Sequence, residues 1–156
     1  MKNNNPARDH SCCNTAMRKA SRRLTQIYDN ALSEANLRST QFAILSELSS
    51  RLNEWPSVTE LAEIMVMERS TLGRNLKPLM RQDFIHLAEH PLDRRQHCVT
   101  LTDKGLQKLN DTKPLWLAAQ ERFSSMFGKD EEKVLRKILL SIAYSESYRK
   151  DALKNK

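Results

Sequence analysis

The 156-residue chain has only three glycines. A glycine-rich phosphate-binding loop needs several in close spacing, and an all-β fold with many tight turns needs more, so both are disfavoured. Cysteine is as scarce: Cys12, Cys13 and Cys98. An odd count with two members adjacent makes no disulfide framework, and a chain of this length buries a core without covalent staples. Long hydrophobic runs are missing too. Nothing approaches the roughly 18 apolar residues of a membrane span, and residues 1–11 are polar rather than leader-like. The expectation is a cytoplasmic protein that keeps its thiols reduced and has no membrane partner.

Catalytic signatures are also lacking. There is no HExxH, no GxSxG and no Walker-type phosphate loop. Asp130, Glu131 and Glu132 stand where a helix begins and suit its dipole. His10, Cys12 and Cys13 form one group of metal-capable residues, and His86, His90, His97 and Cys98 another. Neither has the paired spacing of a tetrahedral site. No enzyme activity, cofactor or metal is expected.

What the chain does have is positive charge: 26 Lys and Arg against 19 Asp and Glu, a formal net charge of +7. A surplus of this size favours an anionic partner, with nucleic acid foremost. Apolar residues recur at helical spacing over most of the length. Met17, Ala20, Leu24, Ile27 and Ala31 mark a first helix within 11–36. Phe42, Leu45, Leu48 and Leu52 mark a second, with Ser39 as its cap. Ser57-Val58-Thr59-Glu60 has the form of a capping box and opens a short helix with Val58, Leu61, Ala62 and Met65 inward. After a turn at residues 66–68, Leu72, Leu76 and Leu79 mark a helix over 69–82, which Pro78 should bend. Residues 84–87 and 98–101 read as paired strands around a polar loop at 89–97, too long for a two-residue turn. Thr102 caps a long helix that Pro114 should kink and Gly128 should stop. A last helix follows over 129–148, with Val134, Leu135, Ile138, Leu139 and Ile142 on its apolar side.

The order helix, helix, capped short helix, turn, helix, hairpin describes a winged helix-turn-helix. Its logic is that the second helix of the pair enters the major groove, where each base pair shows a distinct pattern of donors and acceptors. Arg69, Ser70, Thr71, Arg74 and Asn75 supply suitable hydroxyl, amide and guanidinium groups, and Lys77 a phosphate partner. Arginines on a hairpin tip can reach the negative minor groove. Over 69–95 six cationic residues face three acidic ones, a local excess of +3.

These segments together resemble the MarR family of bacterial regulators. The resemblance rests on Ser57-Val58-Thr59-Glu60-Leu61-Ala62, on Glu68-Arg69-Ser70-Thr71-Leu72-Gly73-Arg74-Asn75-Leu76, on Asp93-Arg94-Arg95 and on Leu101-Thr102-Asp103-Lys104-Gly105, with Leu37-Arg38-Ser39-Thr40-Gln41-Phe42 upstream. It implies a mainly α fold with a small β-hairpin wing. The DNA-binding lobe would be 37–102, the dimerisation helices 11–36 and 103–148, with a flexible tail at 1–10 and a basic tail at 149–156. It implies a homodimer on a palindromic double-stranded operator, acting as a repressor that a small molecule releases. By the same resemblance Arg95 would reach the minor groove and Asp93 would hold the wing arginine by a charge-assisted contact; Arg94, also at the tip, could do either.

Three switches are conceivable. An aromatic acid, phenol or indole acid would need cationic partners, such as Arg18 and Arg22, and an apolar wall. Met17, Tyr28, Trp55, Met65 and Trp116 can form that wall, or can equally be ordinary core. A redox switch would use Cys12 and Cys13. Alignment with the redox-sensing branch of the family puts Asn14 at the reactive position, one and two residues past the cysteines. Metal control lacks a ligand pattern. A nonspecific architectural DNA binder is a further alternative, and it would need neither terminal dimerisation helices nor a pocket.

Overall fold

Apolar residues three and four positions apart turn three successive helices toward one another. In the computed structural model, which describes residues 12–146, the elements run α1 (Cys13–Leu32), a 3-10 turn (Ser33–Ala35), α2 (Ser39–Ser50), α3 (Val58–Ile64), α4 (Arg69–Arg81), β1 (Ile85–His90), β2 (Asp93–Leu101), α5 (Asp103–Phe127) and α6 (Lys129–Tyr144). The expected tails at 1–10 and 149–156 lie outside the described residues. No helix among the described residues is long and apolar enough to cross a membrane.

The core is made by Phe42, Ile44, Leu45 and Leu48 of α2, Leu61 and Ala62 of α3, Leu72, Leu76 and Leu79 of α4, and Ile85 and Val99 of the hairpin, closed by Leu32, Leu37 and Leu109. Burying each leucine contributes about 1.5–3 kcal/mol. Trp116 of α5 stacks on Phe42 with ring centroids 5.7 Å apart, which joins the long helix to the lobe.

Several local expectations are corrected. Ser39 is the first helical residue of α2 rather than its cap. Gln41 Oε1 accepts from the Arg38 N–H at 2.9 Å, and Asp29 of α1 accepts from the Ser39 N–H at 2.7 Å. Leu52 lies past α2 and is exposed, while Ile44 takes the core position. The loop expected at 89–97 is strand: β1 and β2 extend until only Pro91 and Leu92 separate them. The length that argued against a tight turn is absorbed by a bulge. Glu89 pairs with His97 and His90 with Asp93, so Arg94, Arg95 and Gln96 stand between two registers. Pro78 lies inside α4 and Pro114 inside α5, where the sequence placed them.

The terminal helices pack differently. α1 and α6 both lie against α5. On α6, however, Val134, Ile138, Leu139 and Ile142 are exposed, so most of the stripe read as apolar faces outward in the single chain. Met17 and Ala20 at the start of α1 are exposed as well. A polar network also ties these helices together. Tyr28 Oη donates to Gln120 Oε1 at 2.6 Å, Gln120 Nε2 donates to Glu132 Oε1 at 2.9 Å, and Ser124 and Arg136 complete the shell around the buried Glu132 carboxylate. The Ser124 hydroxyl, above all, with Arg136 and Gln120, holds that carboxyl below its usual range against the opposing effect of burial.

Candidate nucleic-acid interface

The turn between α3 and α4 sets how the second helix is presented. Ser57 Oγ accepts from the Glu60 N–H at 3.2 Å while Glu60 Oε2 accepts from the Ser57 N–H at 2.8 Å, the reciprocal box expected. At the other end of α3, Val66 adopts φ 51°. This left-handed position lets the Met67 N–H reach the Ala62 carbonyl at 2.8 Å and the Val66 N–H reach Glu63 at 3.1 Å. A β-branched residue there is strained. The strain is held by Met67 and Met65, which pack on the core on either side.

From this turn α4 emerges with Leu72, Leu76 and Leu79 buried and with Arg69, Ser70, Arg74, Lys77 and Arg81 exposed. Thr71 and Asn75 are half-buried. Arg74 Nη2 donates to Thr71 Oγ1 at 3.1 Å, which lays the guanidinium along the helix face. Asn75 Nδ2 donates to the Thr71 carbonyl at 2.9 Å, so one of its amide donors is already used by its own helix. Pro78 has no N–H to give the Arg74 carbonyl.

The hairpin is fixed to the lobe by the Val99 N–H, which donates to the Pro56 carbonyl at 2.8 Å, and by a bridge between Ser57 and Cys98. Cys98 itself is a packed core thiol. At the tip, Asp93 Oδ1 accepts from the Arg95 N–H at 3.0 Å and its Oδ2 from Gln96 Nε2 at 3.2 Å. The expected contact from Asp93 to an arginine is therefore to backbone: the carboxylate shapes the bulge that carries Arg94 and Arg95, both exposed. Among the described residues, none of Arg69, Arg74, Lys77, Arg81, Arg94 and Arg95 is held in an ion pair.

The candidate ligand residues are dispersed. Arg18, Arg22 and Met17 are exposed on α1, Tyr28 is engaged with Gln120, and Trp116 and Met65 pack on the core. Trp55 lines a small cleft with Leu48, Arg51, Leu52, Val99, Thr100 and Leu101, apart from the other six. Cys12 and Cys13 are exposed at the start of α1. The Cys12 thiol lies below its ordinary range because the Thr15 backbone N–H, then its hydroxyl and the Asn14 N–H, favour the thiolate, though none closes to a full capping hydrogen bond. Among the described residues no cluster suited to a metal ion occurs. Two features escaped the sequence reading. Asp29 reaches across to start α2, and Tyr144 Oη of α6 donates to the Ile64 carbonyl of α3 at 3.0 Å. Both join residues on different elements, 10 and 80 positions apart, which periodicity does not register.

A capped helix, a fixed turn, a second helix with a cationic outer face and a bulged arginine hairpin define a winged helix-turn-helix DNA-binding protein. Comparison with known proteins agrees. Residues 35–96 match the model of the MarR family. The chain is 27% identical over 128 residues to the uncharacterized HTH-type transcriptional regulator YwaE of Bacillus subtilis (strain 168), covering 81% of this chain and 72% of the relative. It is 31% identical to the M. tuberculosis transcriptional regulator MosR, with a TM-score of 0.74 over 87% of this chain and 96% of that one. The transcriptional repressor CouR bound to a 23-mer DNA duplex is 26% identical, with a TM-score of 0.75 over 85% and 93%. CouR from Rhodococcus jostii RHA1 bound to p-coumaroyl-CoA shares the fold at 20% identity, with a TM-score of 0.73 over 83% and 90%. The chain belongs to the MarR family of DNA-binding transcriptional regulators.

Proposed function

We propose that the protein is a homodimeric repressor that binds a palindromic operator and is released by a small aromatic effector. The observation that carries this reading is the pairing of an uncommitted cationic face on α4 and the wing with an unpartnered apolar stripe on α6. One surface suits DNA and the other suits a second copy. Ser70, Thr71 and Arg74 read bases, joined by the remaining amide capacity of Asn75. Arg69 and Lys77 fix phosphates, and Arg94 and Arg95 enter the minor groove from a bulge that Asp93 holds open. The effector is an aromatic acid, a phenol, an indole acid or a thioester of one. CouR, seen with DNA in one structure and with p-coumaroyl-CoA in another, supports that class. Such a ligand must favour the form of the dimer whose lobes are out of register with DNA, or it shifts nothing.

The test is footprinting on duplex recovered by in vitro selection, followed by titration with a panel of aromatic acids and their thioesters. The expected footprint is palindromic, with half-site centres about 34–36 Å apart, and one class of compound abolishes it. An asymmetric or sequence-independent footprint sinks the reading in favour of an architectural binder. The lowered, exposed Cys12 thiol supports a second reading, release by oxidation. Peroxide-driven release that disappears in Cys12→Ser with Cys13→Ser would establish it.

A further inference from the structure

The wing tip is the part of the proposed interface whose most exposed side chain is apolar. Leu92 is 87% exposed, more than any other large apolar residue among those described. A lone exposed leucine on an arbitrary surface needs no explanation. This one is mounted on a braced turn. Pro91 before it has a fixed φ, the Leu92 N–H donates to His90 Nδ1 at 3.2 Å, and the His90 ring meets Trp55 edge-on with centroids 6.3 Å apart. Behind it Asp93 ties back the chain through Arg95 and Gln96. The tip therefore offers one leucine, held outward, with the two arginines of the bulge just past Asp93.

The cations direct the tip to the place where DNA is most negative, a narrow minor groove. An apolar side chain delivered there cannot satisfy the acceptors on the base edges. Its favourable seats are the sugar walls and the face of a partly unstacked base step, and minor-groove proteins use leucine in the second way. We infer that Leu92 is a minor-groove wedge that opens a flexible pyrimidine–purine step in each half-site and bends the duplex. The inference rests on the wing reading above and adds to it a shape preference at a base step that no hydrogen bond reads.

The experiment compares the wild type, Leu92→Asn, Leu92→Met and Arg95→Ala on the selected duplex, labelled at both ends so that energy transfer reports the bend. Both substituted side chains are exposed, so thermal midpoints are expected to confirm that all four proteins are equally folded. Leu92→Asn is expected to lose about tenfold in affinity and most of the bend, with the salt dependence unchanged, and Leu92→Met to restore both. Arg95→Ala is expected to weaken binding and to lower the salt slope by about 0.9 for each phosphate left without its cation. If Leu92→Asn binds and bends as the wild type does while Arg95→Ala is impaired, the wedge is overturned and the wing reading stands. If affinity falls with the bend intact, leucine packs on the groove wall and the wedge is again overturned. If neither variant differs from the wild type, the wing reading itself fails.

Discussion

Two helices of this chain carry equally regular apolar stripes and treat them in opposite ways. On α4, Leu72, Leu76 and Leu79 are shut inside the lobe; on α6, Val134, Ile138, Leu139 and Ile142 stand in the open. The lobe closes on itself within one chain. The outer helices are tied to one another by a polar network around Glu132 and to the lobe by Leu32, Leu109 and the Trp116–Phe42 stack, while α6 keeps its apolar side exposed. The core beneath α4 is thus closed within one chain, whereas the stripe on α6 is not. In the proposed dimer, a change in spacing between lobes needs no change inside either.

Substitutions that separate the two kinds of stripe test this directly. Leu79→Ala should cost about 2–5 kcal/mol in urea unfolding, by the same amount at every protein concentration. A loss below about 1 kcal/mol would show that the lobe core is not closed. Ile138→Glu should leave the lobe folded and abolish the dimer in sedimentation, together with the concentration dependence of the thermal midpoint. A variant that still sediments as a dimer would remove α6 from the interface.

The same contrast explains what the sequence allowed. The stripe of Leu72, Leu76 and Leu79, the box of Ser57 and Glu60 and the cap at Thr102 are local patterns, and all three stand in the structure. The hairpin was legible at its ends but not at its tip, because the bulge depends on where the Asp93 carboxylate turns, and strand propensity carries no sign of that. The stripe on α6 was legible as a stripe, but periodicity does not say whether its cover comes from the same chain. Of the candidate DNA residues, Arg69, Ser70, Arg74 and Lys77 are on the open face, whereas Asn75 turns back to Thr71. The aromatic and methionine residues considered for a pocket gave no spacing rule to begin with, and in one chain they do not converge.

A smaller effect concerns the joint between the two regions. Asp29 of α1 starts α2 through Ser39. Burial alone would raise its pKa, but the Ser39 backbone and side chain and the Arg38 guanidinium together hold it below the ordinary 3.8. A carboxylate depressed in the folded state contributes stability that is complete above its unfolded value and is lost as pH falls through the folded one. Asp29→Asn should therefore lower the thermal midpoint near neutral pH. The gap from the wild type should close as pH drops below the ordinary carboxylate range, to about pH 2. A gap that stays constant over that range would assign the loss to geometry rather than to the charge.

The smallest effect is expected at one of two glycines placed on either side of this division. Gly105 sits where α5 leaves the lobe, and a Cβ there would lie 2.0 Å from the Phe84 carbonyl oxygen, so Gly105→Ala forces backbone apart and destabilises. Gly73 lies inside α4, and a Cβ there would meet nothing within 4 Å. A glycine in a helix interior costs about 0.5–1 kcal/mol relative to alanine, so Gly73→Ala should raise stability by about that much in thermal unfolding. The sign carries the argument. A rise means that the outer face of α4 is free in the folded protein, as a surface kept for DNA requires. A fall means that this face already meets something, in the chain or in a second copy, and the lobe would then be no more self-contained than α6.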